Sequence, residues 1–526
     1  MAARLFKSTL ITGGMTLFSR VTGFVRDILL ARLIGTTPLA DAFFVAFRIP
    51  SFFRRVFGEG AFSQAFVPVF AGYRKDSSPE VVQSFLDHVA GALGIVLVGI
   101  TALGVLAAPV WVMILAPGFL AMPVKYHLTV VMLRITFPYL LFVSLVAMSA
   151  GILNTCGYFA VSAFTPVLLN VALIAAALWL APHLAHPVLA LAWGVFVAGV
   201  VQLAFQIPFL RRLGLNVRPR LDFGHPGVRR ILRLMLPALL GSSVAQINLV
   251  VDTVLASFLV SGSVSWLYYS NRLLEFPLGV FGVALGTVIL PALSRKHVDA
   301  HSEGFSRTID WALRWGFAIT LPAAVGLGVL AGPLLSTLFQ HGAFTAHDVA
   351  MARRSLVAFA FGLPAFVLIK ILAPGFYARQ DTRTPVRVGI ISLIANIVFN
   401  LLLIKPLAHA GLALATSLSA VLNASLLYRG LRQQAVYRPE RGWRSFFART
   451  VGASLLMGFM LHEFAGSLTL WTARSTGSRG LWLFVWVMAA MAVYATILVL
   501  TRIRLRLSPD GEGEDPNGTH SPDRSA

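Results

Sequence analysis

Residues 48–58 read RIPSFFRRVFG, and residues 272–282 read RLLEFPLGVFG. The two stretches share Arg, Phe, Val, Phe and Gly in register, 224 positions apart. LGVLAAP at 103–109 and LGVLAGP at 327–333 fall at the same offset, so the chain carries an internal duplication. Both copies sit among apolar runs of about 20 residues, the length at which a helix crosses about 30 Å of hydrocarbon. About fourteen such runs follow one another, the first at 9–34 and the last at 481–501. The offset carries the second run onto the eighth and the third onto the ninth. An even shift preserves orientation and relates the halves by an axis along the membrane normal. The fold expected is therefore an all-α polytopic membrane protein of about fourteen transmembrane helices, with two pseudo-symmetric six-helix lobes plus two C-terminal helices.

Composition agrees with this reading. The 526 residues are 57% hydrophobic and 12% charged, with a mean hydropathy of +0.78, far too apolar for an ordinary soluble protein. No short apolar segment followed by a small-residue cleavage site stands apart at the start, so no removable signal peptide is read. Cys156 is the single cysteine, which excludes an intramolecular disulfide and a cysteine metal cluster. The net charge of +22 is a matter of placement. Basic residues crowd one set of connections, including Arg74 and Lys75, the segment 211–233, Arg379 to Arg387 and the segment 429–449. The opposite side holds Lys125, Lys405, Arg474 and Arg479. That asymmetry is the positive-inside signature and puts both termini in the cytoplasm. Nucleic-acid binding is not expected.

Along the chain this gives an N-terminal lobe at 1–213, a basic cytoplasmic linker at 214–229 and a C-terminal lobe at 230–433. The last two spans with their basic lead-in occupy 434–506, and a disordered polar cytoplasmic tail follows at 507–526. The two basic connections are read either as segments lying on the anionic inner leaflet or as plain loops. Prolines within spans, among them Pro50, Pro138, Pro277, Pro322, Pro364 and Pro374, predict bent or broken helices.

Charges inside the spans are the functional signal, because each costs at least about 2.5 kcal/mol at the centre of a membrane helix. The first span carries Arg20, Arg26, Asp27 and Arg32; the second carries Asp41, Arg48, Arg54, Arg55 and Glu59. Asp41, Arg48 and Arg55, spaced by seven, are expected to share a stripe. Arg272 and Glu275, at i and i+3, are placed to pair. Internal ion pairs account for Asp27, Asp41, Glu59 and Glu275 but leave about two arginines over. A water-filled cavity that receives an anion accounts for those, and arginine's planar fork suits phosphate or pyrophosphate. Arg134, Asp252 and Lys370 read as isolated charges in later spans. Asp252 is either a cation or proton site or a hydrated residue near the outer interface.

No phosphate loop, H-E-x-x-H or G-x-S-x-G motif occurs, so the chain is not read as an enzyme, and no cofactor or metal is expected. A polyprenyl-phosphate transferase would need clustered acidic residues at a membrane face, and none is seen.

The stretches FSRVTGFVRDILLARLIG, DAFFVAFRIPSFFRRVFGEGAFSQAFVPVF, SGSVSWLYYSNRLLEFPLGVFGVALGTVILP and APGFYARQDTRTPV closely resemble the MurJ (MviN) family of bacterial lipid II flippases. The resemblance runs from the first span to the last and places the chain in the multidrug/oligosaccharidyl-lipid/polysaccharide exporter superfamily. It implies movement of the undecaprenyl-pyrophosphate-linked peptidoglycan precursor, lipid II, from the inner to the outer leaflet of the cytoplasmic membrane. The alternative within the superfamily is an exporter of another lipid-linked oligosaccharide or of drugs. By motif, the resemblance implies substrate-binding arginines at Arg20, Arg26, Arg54, Arg55 and Arg272, and functional acids at Asp41, Glu59 and Glu275. It implies a groove for the polyprenyl tail at the last two spans; some relatives bind sodium in the C-terminal lobe through a ligand set that this sequence does not match in full, and Asp252 is an ion-coupling candidate from its own setting alone. The implied partners are lipid II, membrane lipids and cell-wall synthesis proteins.

Overall fold

The computed structural model describes residues 2–55, 61–298 and 302–501, with side chains omitted at 2–12, 237–238, 240–245, 280–288, 296–298 and 302. Eighteen α-helices and no strand occur among the described residues. In chain order they are α1 (Ala2–Ile34), α2 (Pro38–Phe53), α3 (Ser63–Asp76), α4 (Pro79–Leu106), α5 (Ala108–Leu115), α6 (Pro123–Thr136), α7 (Tyr139–Thr155), α8 (Phe159–Ala175) and α9 (Val188–Arg212). They continue as α10 (Pro226–Ser257), α11 (Ser263–Val298), α12 (Ser302–Val329), α13 (Ala331–Leu338), α14 (Ala346–Tyr377), α15 (Arg383–Gln433), α16 (Trp443–Phe464), α17 (Leu468–Ala473) and α18 (Thr476–Leu500). The expected tail at 507–526 and Glu59 lie outside the described residues.

Eight helical stretches among the described residues are long and apolar enough to cross a membrane, for example Pro79–Leu106, Val188–Arg212 and Thr476–Leu500. The first helix is not among them, because Arg20, Arg26, Asp27 and Arg32 interrupt its apolar sequence. Most span prolines lie inside continuous helices, as at Pro50, Pro277, Pro322 and Pro364. Pro138 instead separates α6 from α7. The spans expected at 384–404 and 410–430 form one helical run broken at Ala408, whose φ of 48° and ψ of −128° leave the helical region just after Pro406.

The chain divides into two compact units. The first comprises Met1–Ser270, Gly332–Ser355 and Asn396–Ala413. One of its apolar clusters is built on α3, where Phe62, Phe66 and Phe70, spaced by four, stack along one face and Phe66 also stacks on Phe85. The connection after α9 lies along α4: Arg218 N donates to Asp87 Oδ1 (2.8 Å), and Arg220 N donates to the Asp87 carbonyl (2.9 Å). It ends at His225, whose Nδ1 accepts from Gly227 N (3.2 Å) and caps α10. The His225 ring stacks on His88 with centroids 4.8 Å apart.

The second unit comprises Asn271–Ala331, Leu356–Ala395 and Leu414–Ala526. Its core gathers Ile309, Leu313, Ile371, Phe376, Leu431 and Tyr437. Buried Asp310 on α12 ties down the segment leading into α16. It accepts from Arg314 Nε (2.7 Å), Tyr437 Oη (2.8 Å), Trp443 Nε1 (2.6 Å) and Glu440 N (3.2 Å). Burial, followed by the adjacent Asp310 charge, pushes the Tyr437 hydroxyl well above its ordinary value.

Candidate functional site

In the first unit the intramembrane charges fall into three separate clusters. The first is on α1. Asp27 is fully buried and Arg26 is 8% exposed. Arg26 Nε and Nη2 both donate to Asp27 Oδ1, at 3.0 and 2.7 Å, although the two residues are sequence neighbours. Adjacent helical residues do not normally face each other, so the long arginine folds back along the helix. Tyr268 Oη donates to the same carboxylate oxygen (2.9 Å), and Arg26 Nη1 reaches Asn170 Oδ1 (2.9 Å). Asn170 Nδ2 in turn donates to the Ser19 carbonyl (3.1 Å). On α1, then, Arg26 is one half of a buried ion pair. Arg20 is half-buried on the same helix.

The second cluster surrounds the start of α2. Thr37 caps this helix, and Pro38 opens it with the φ a first turn requires. Asp41, 1% exposed, pairs with buried Lys125 at the head of α6 (2.9 Å). Asp41 also accepts from Gly262 N (2.7 Å), Ser265 N (3.0 Å) and Ser265 Oγ (2.6 Å). The carboxylate thus closes the N-terminus of α11, where unpaired amides and the helix dipole favour an anion. Helix α2 is α-helical to Phe53 and continues as a π-helical turn through Arg54 and Arg55, with Arg54 half-buried and Arg55 exposed. Arg48 Nη1 donates to Thr253 Oγ1 (2.6 Å) beside an apolar cavity of about 190 Å³ bounded by Phe52, Phe53 and Trp111.

The third cluster corrects the reading of Asp252 as an isolated charge. Asn400 Nδ2 donates to Asp252 Oδ1 (2.8 Å) and to Asn396 Oδ1 (3.0 Å). Asn400 Oδ1 is buried with no hydrogen-bond partner among the described residues. Asp252, Asn396 and Asn400 thus form a hydrogen-bonded trio in which the Asn400 amide nitrogen faces both of the other oxygens. Among the described residues no set of three or more His, Cys, Asp or Glu side chains converges on a metal position.

Another carboxylate in this unit escaped the sequence reading. Asp348, at the start of α14, accepts from Thr345 N (2.8 Å) and Thr345 Oγ1 (2.7 Å), a reciprocal cap. Its other oxygen accepts from Thr36 Oγ1, in the turn between α1 and α2, and from Trp266 Nε1 on α11 (3.1 Å).

In the second unit the expected pair forms. Arg272 Nη1 bonds Glu275 Oε2 (2.9 Å), and Asn271 Nδ2 donates to Glu275 Oε1 (3.1 Å). Both charged side chains are partly open to solvent.

A family model described as "Lipid II flippase MurJ" matches residues 30–476. A probable lipid II flippase of Vibrio cholerae serotype O1 is 48% identical, covering 96% of this chain and 98% of its own. A second, of Haemophilus influenzae, is 47% identical over 93% and 98% of the two chains. A lipid II flippase of Burkholderia cenocepacia is 45% identical over 87% and 90%. Among solved structures, a lipid II flippase in an inward closed conformation superposes with a TM-score of 0.78 at 25% identity, covering 94% of this chain and all of that one. An inward-facing multidrug transporter of the MATE family, at 14% identity and a TM-score of 0.67, covers 81% of this chain and 98% of its own and shares the fold.

Proposed function

Because the chain belongs to the lipid II flippase MurJ family, we propose that it moves lipid II from the inner to the outer leaflet of the bacterial cytoplasmic membrane by alternating access. One observation carries this reading: 48% identity to the Vibrio cholerae relative over nearly the full length of both chains. Undecaprenyl-pyrophosphate would present two adjacent phosphates, which a guanidinium binds through paired N–H donors. In the first unit Arg20, Arg26, Arg54 and Arg55 are the proposed ligands, and in the second Arg272 serves the same chemistry. At Arg26 the anion would compete with Asn170 and Tyr268 for Nη1 and Nη2, while Asp27 keeps the guanidinium oriented.

The lobes are proposed at 1–213 and 230–433, joined by 214–229, with 434–506 appended to carry the polyprenyl tail. Both termini are cytoplasmic in this proposal, on the strength of the basic connections, which places the α1–α2 turn at the outer face. Asp41, by closing the head of α11, holds that outer end shut. Asp252 with Asn396 and Asn400 is the proposed position of ion coupling. Membrane lipids and cell-wall synthesis proteins complete the proposed partners.

The test is translocation of labelled lipid II in proteoliposomes, paired with rescue of a flippase-depleted strain. Rescue with translocation is expected. Translocation of a different lipid-linked oligosaccharide or a drug without rescue would overturn the reading.

A further inference from the structure

We infer that Asp348 is a positioning residue for the transport cycle, forming with Thr36 and Trp266 a second outer clasp that breaks each time the first unit opens outward. The sidedness rests on the orientation proposed above; the clasp itself rests on four observations within the first unit.

The first is burial. Asp348 is 6% exposed, and a carboxylate so placed is retained only when its oxygens are satisfied. The second is division of labour between those oxygens. Oδ2 serves the helix that carries it, through Thr345 N and Oγ1. Oδ1 serves two other elements, through Thr36 Oγ1 and Trp266 Nε1. A capping carboxylate needs only the first set, so the second set has a purpose beyond ending a helix.

The third observation is backbone fit. Gly35 and Gly342 both have positive φ, 55° and 57°. A Cβ on Gly35 would collide with the Ala343 carbonyl, and one on Gly342 with the Arg32 carbonyl. Without side chains the two turns approach closely enough for Ala343 N to donate to the Arg32 carbonyl (3.0 Å). The turn following α1 and the turn preceding α14 therefore meet backbone to backbone, and Asp348 fastens them. The fourth is the floor of this contact. Tyr269 is fully buried between Phe339 and Phe344 and directs its hydroxyl at the Gly35 carbonyl (3.4 Å).

Such a contact resists opening with few bonds and no ion pair, so it can break and reform as a unit. Hydrogen bonds from neutral donors to a buried carboxylate are strong enough for each to shift a two-state equilibrium about tenfold or more.

A reporter one helical turn beyond Trp266 reads the clasp directly. Ser270 is fully buried and bonded to the Ala352 carbonyl (2.7 Å). In a Cys156→Ser, Ser270→Cys background, labelling by a membrane-impermeant maleimide from the outer side should be slow. Thr36→Val removes one of the two cross-links to Oδ1, keeps the one from Trp266 Nε1 and leaves the α14 cap intact; it should speed labelling about tenfold. Thr345→Ala weakens the cap and leaves the cross-link; it should change labelling little. Asp348→Asn should behave as Thr36→Val, with the thermal transition retained. Unchanged labelling in Thr36→Val, or equal acceleration in Thr36→Val and Thr345→Ala, would reduce Asp348 to a helix cap and overturn the inference. Labelling needs no substrate, so a failed flippase reading would show in translocation and leave this result standing.

Discussion

Asp41 accepts hydrogen bonds from Ser265, and the two residues are separated by 224 positions, the offset of the internal repeat. The start of α2 and the start of α11 are matched by that offset, and one carboxylate serves the head of the helix that matches its own.

This geometry makes Asp41 costly to alter. Asp41→Asn leaves Lys125 buried beside a neutral amide, and breaking a buried pair from one side costs about 3–5 kcal/mol. A marked drop in the thermal midpoint of the purified protein is expected. Asp41→Asn combined with Lys125→Met should recover most of it. A double variant no more stable than the single one would mean that the amides of α11, and not Lys125, set the cost.

Arg26 follows the same logic with a different outcome for function. Arg26→Ala takes the paired guanidinium from a fully buried Asp27 that still accepts from Tyr268, and breaking a buried pair from one side should cost about 3–5 kcal/mol of stability. Adding Asp27→Asn should restore the midpoint while lipid II translocation stays abolished. Recovered translocation in that double variant would remove Arg26 from the substrate site.

Glu275 should be forgiving. Its pair with Arg272 is partly exposed and screened, and such pairs contribute about 0–1 kcal/mol. Glu275→Gln keeps an acceptor for Arg272 and Asn271, so near-normal rescue of a depleted strain is expected. An inactive variant that still binds lipid II would instead assign Glu275 a proton-carrying role.

Asp252→Asn should alter the sodium or pH dependence of flipping and leave lipid II binding nearly intact, since the Asn400 contact can be partly replaced by an amide oxygen. An unchanged ion profile would remove the cluster from coupling.

The His225 cap supplies a pH dependence with a defined sign. Its imidazole is held below the ordinary value by burial and then by His88, against a smaller opposing effect of Asp222. Nearby groups that face it are His88 and Phe85 of α4, Tyr73 of α3 and Asp222 of its own connection. A lowered folded value means the unfolded chain binds the proton more readily. The cap's contribution is therefore complete above about pH 6.5 and fades as pH falls through the lower folded value. Thermal midpoints from pH 8 to 5.5 should decline more steeply in the parent than in His225→Asn, which keeps a capping side chain without titrating.

Much of this arrangement could be read from the residues. The i, i+3 pair of Arg272 and Glu275 is a local signal and forms as expected, and Asp41 and Ser265 meet at the offset of the periodic one. Residues that partner across long sequence distances left no spacing to read. Asn170 meets Arg26 across 144 positions and Tyr268 meets it across 242. Lys125, beside Pro123, looked like a connecting-segment charge because nothing in its neighbourhood tells that Asp41 awaits it. Asp348 was not singled out: a Thr three residues before an acid signals only a helix cap, and the partners of its second oxygen leave no sequence signature.

The knot at Asp310 limits how the chain can be recombined. Helices α16 to α18 look like an appendix that could be exchanged between relatives at any point after α15. Asp310, however, sits on α12 and collects Tyr437, Glu440 and Trp443 from the segment that introduces them. A chimaera joined at residue 434 would bring in a foreign lead-in and put at risk the three of the buried carboxylate's donors that come from residues 437–443. The unit of exchange is the C-terminal helices together with the α12 turn that includes Asp310 and Arg314.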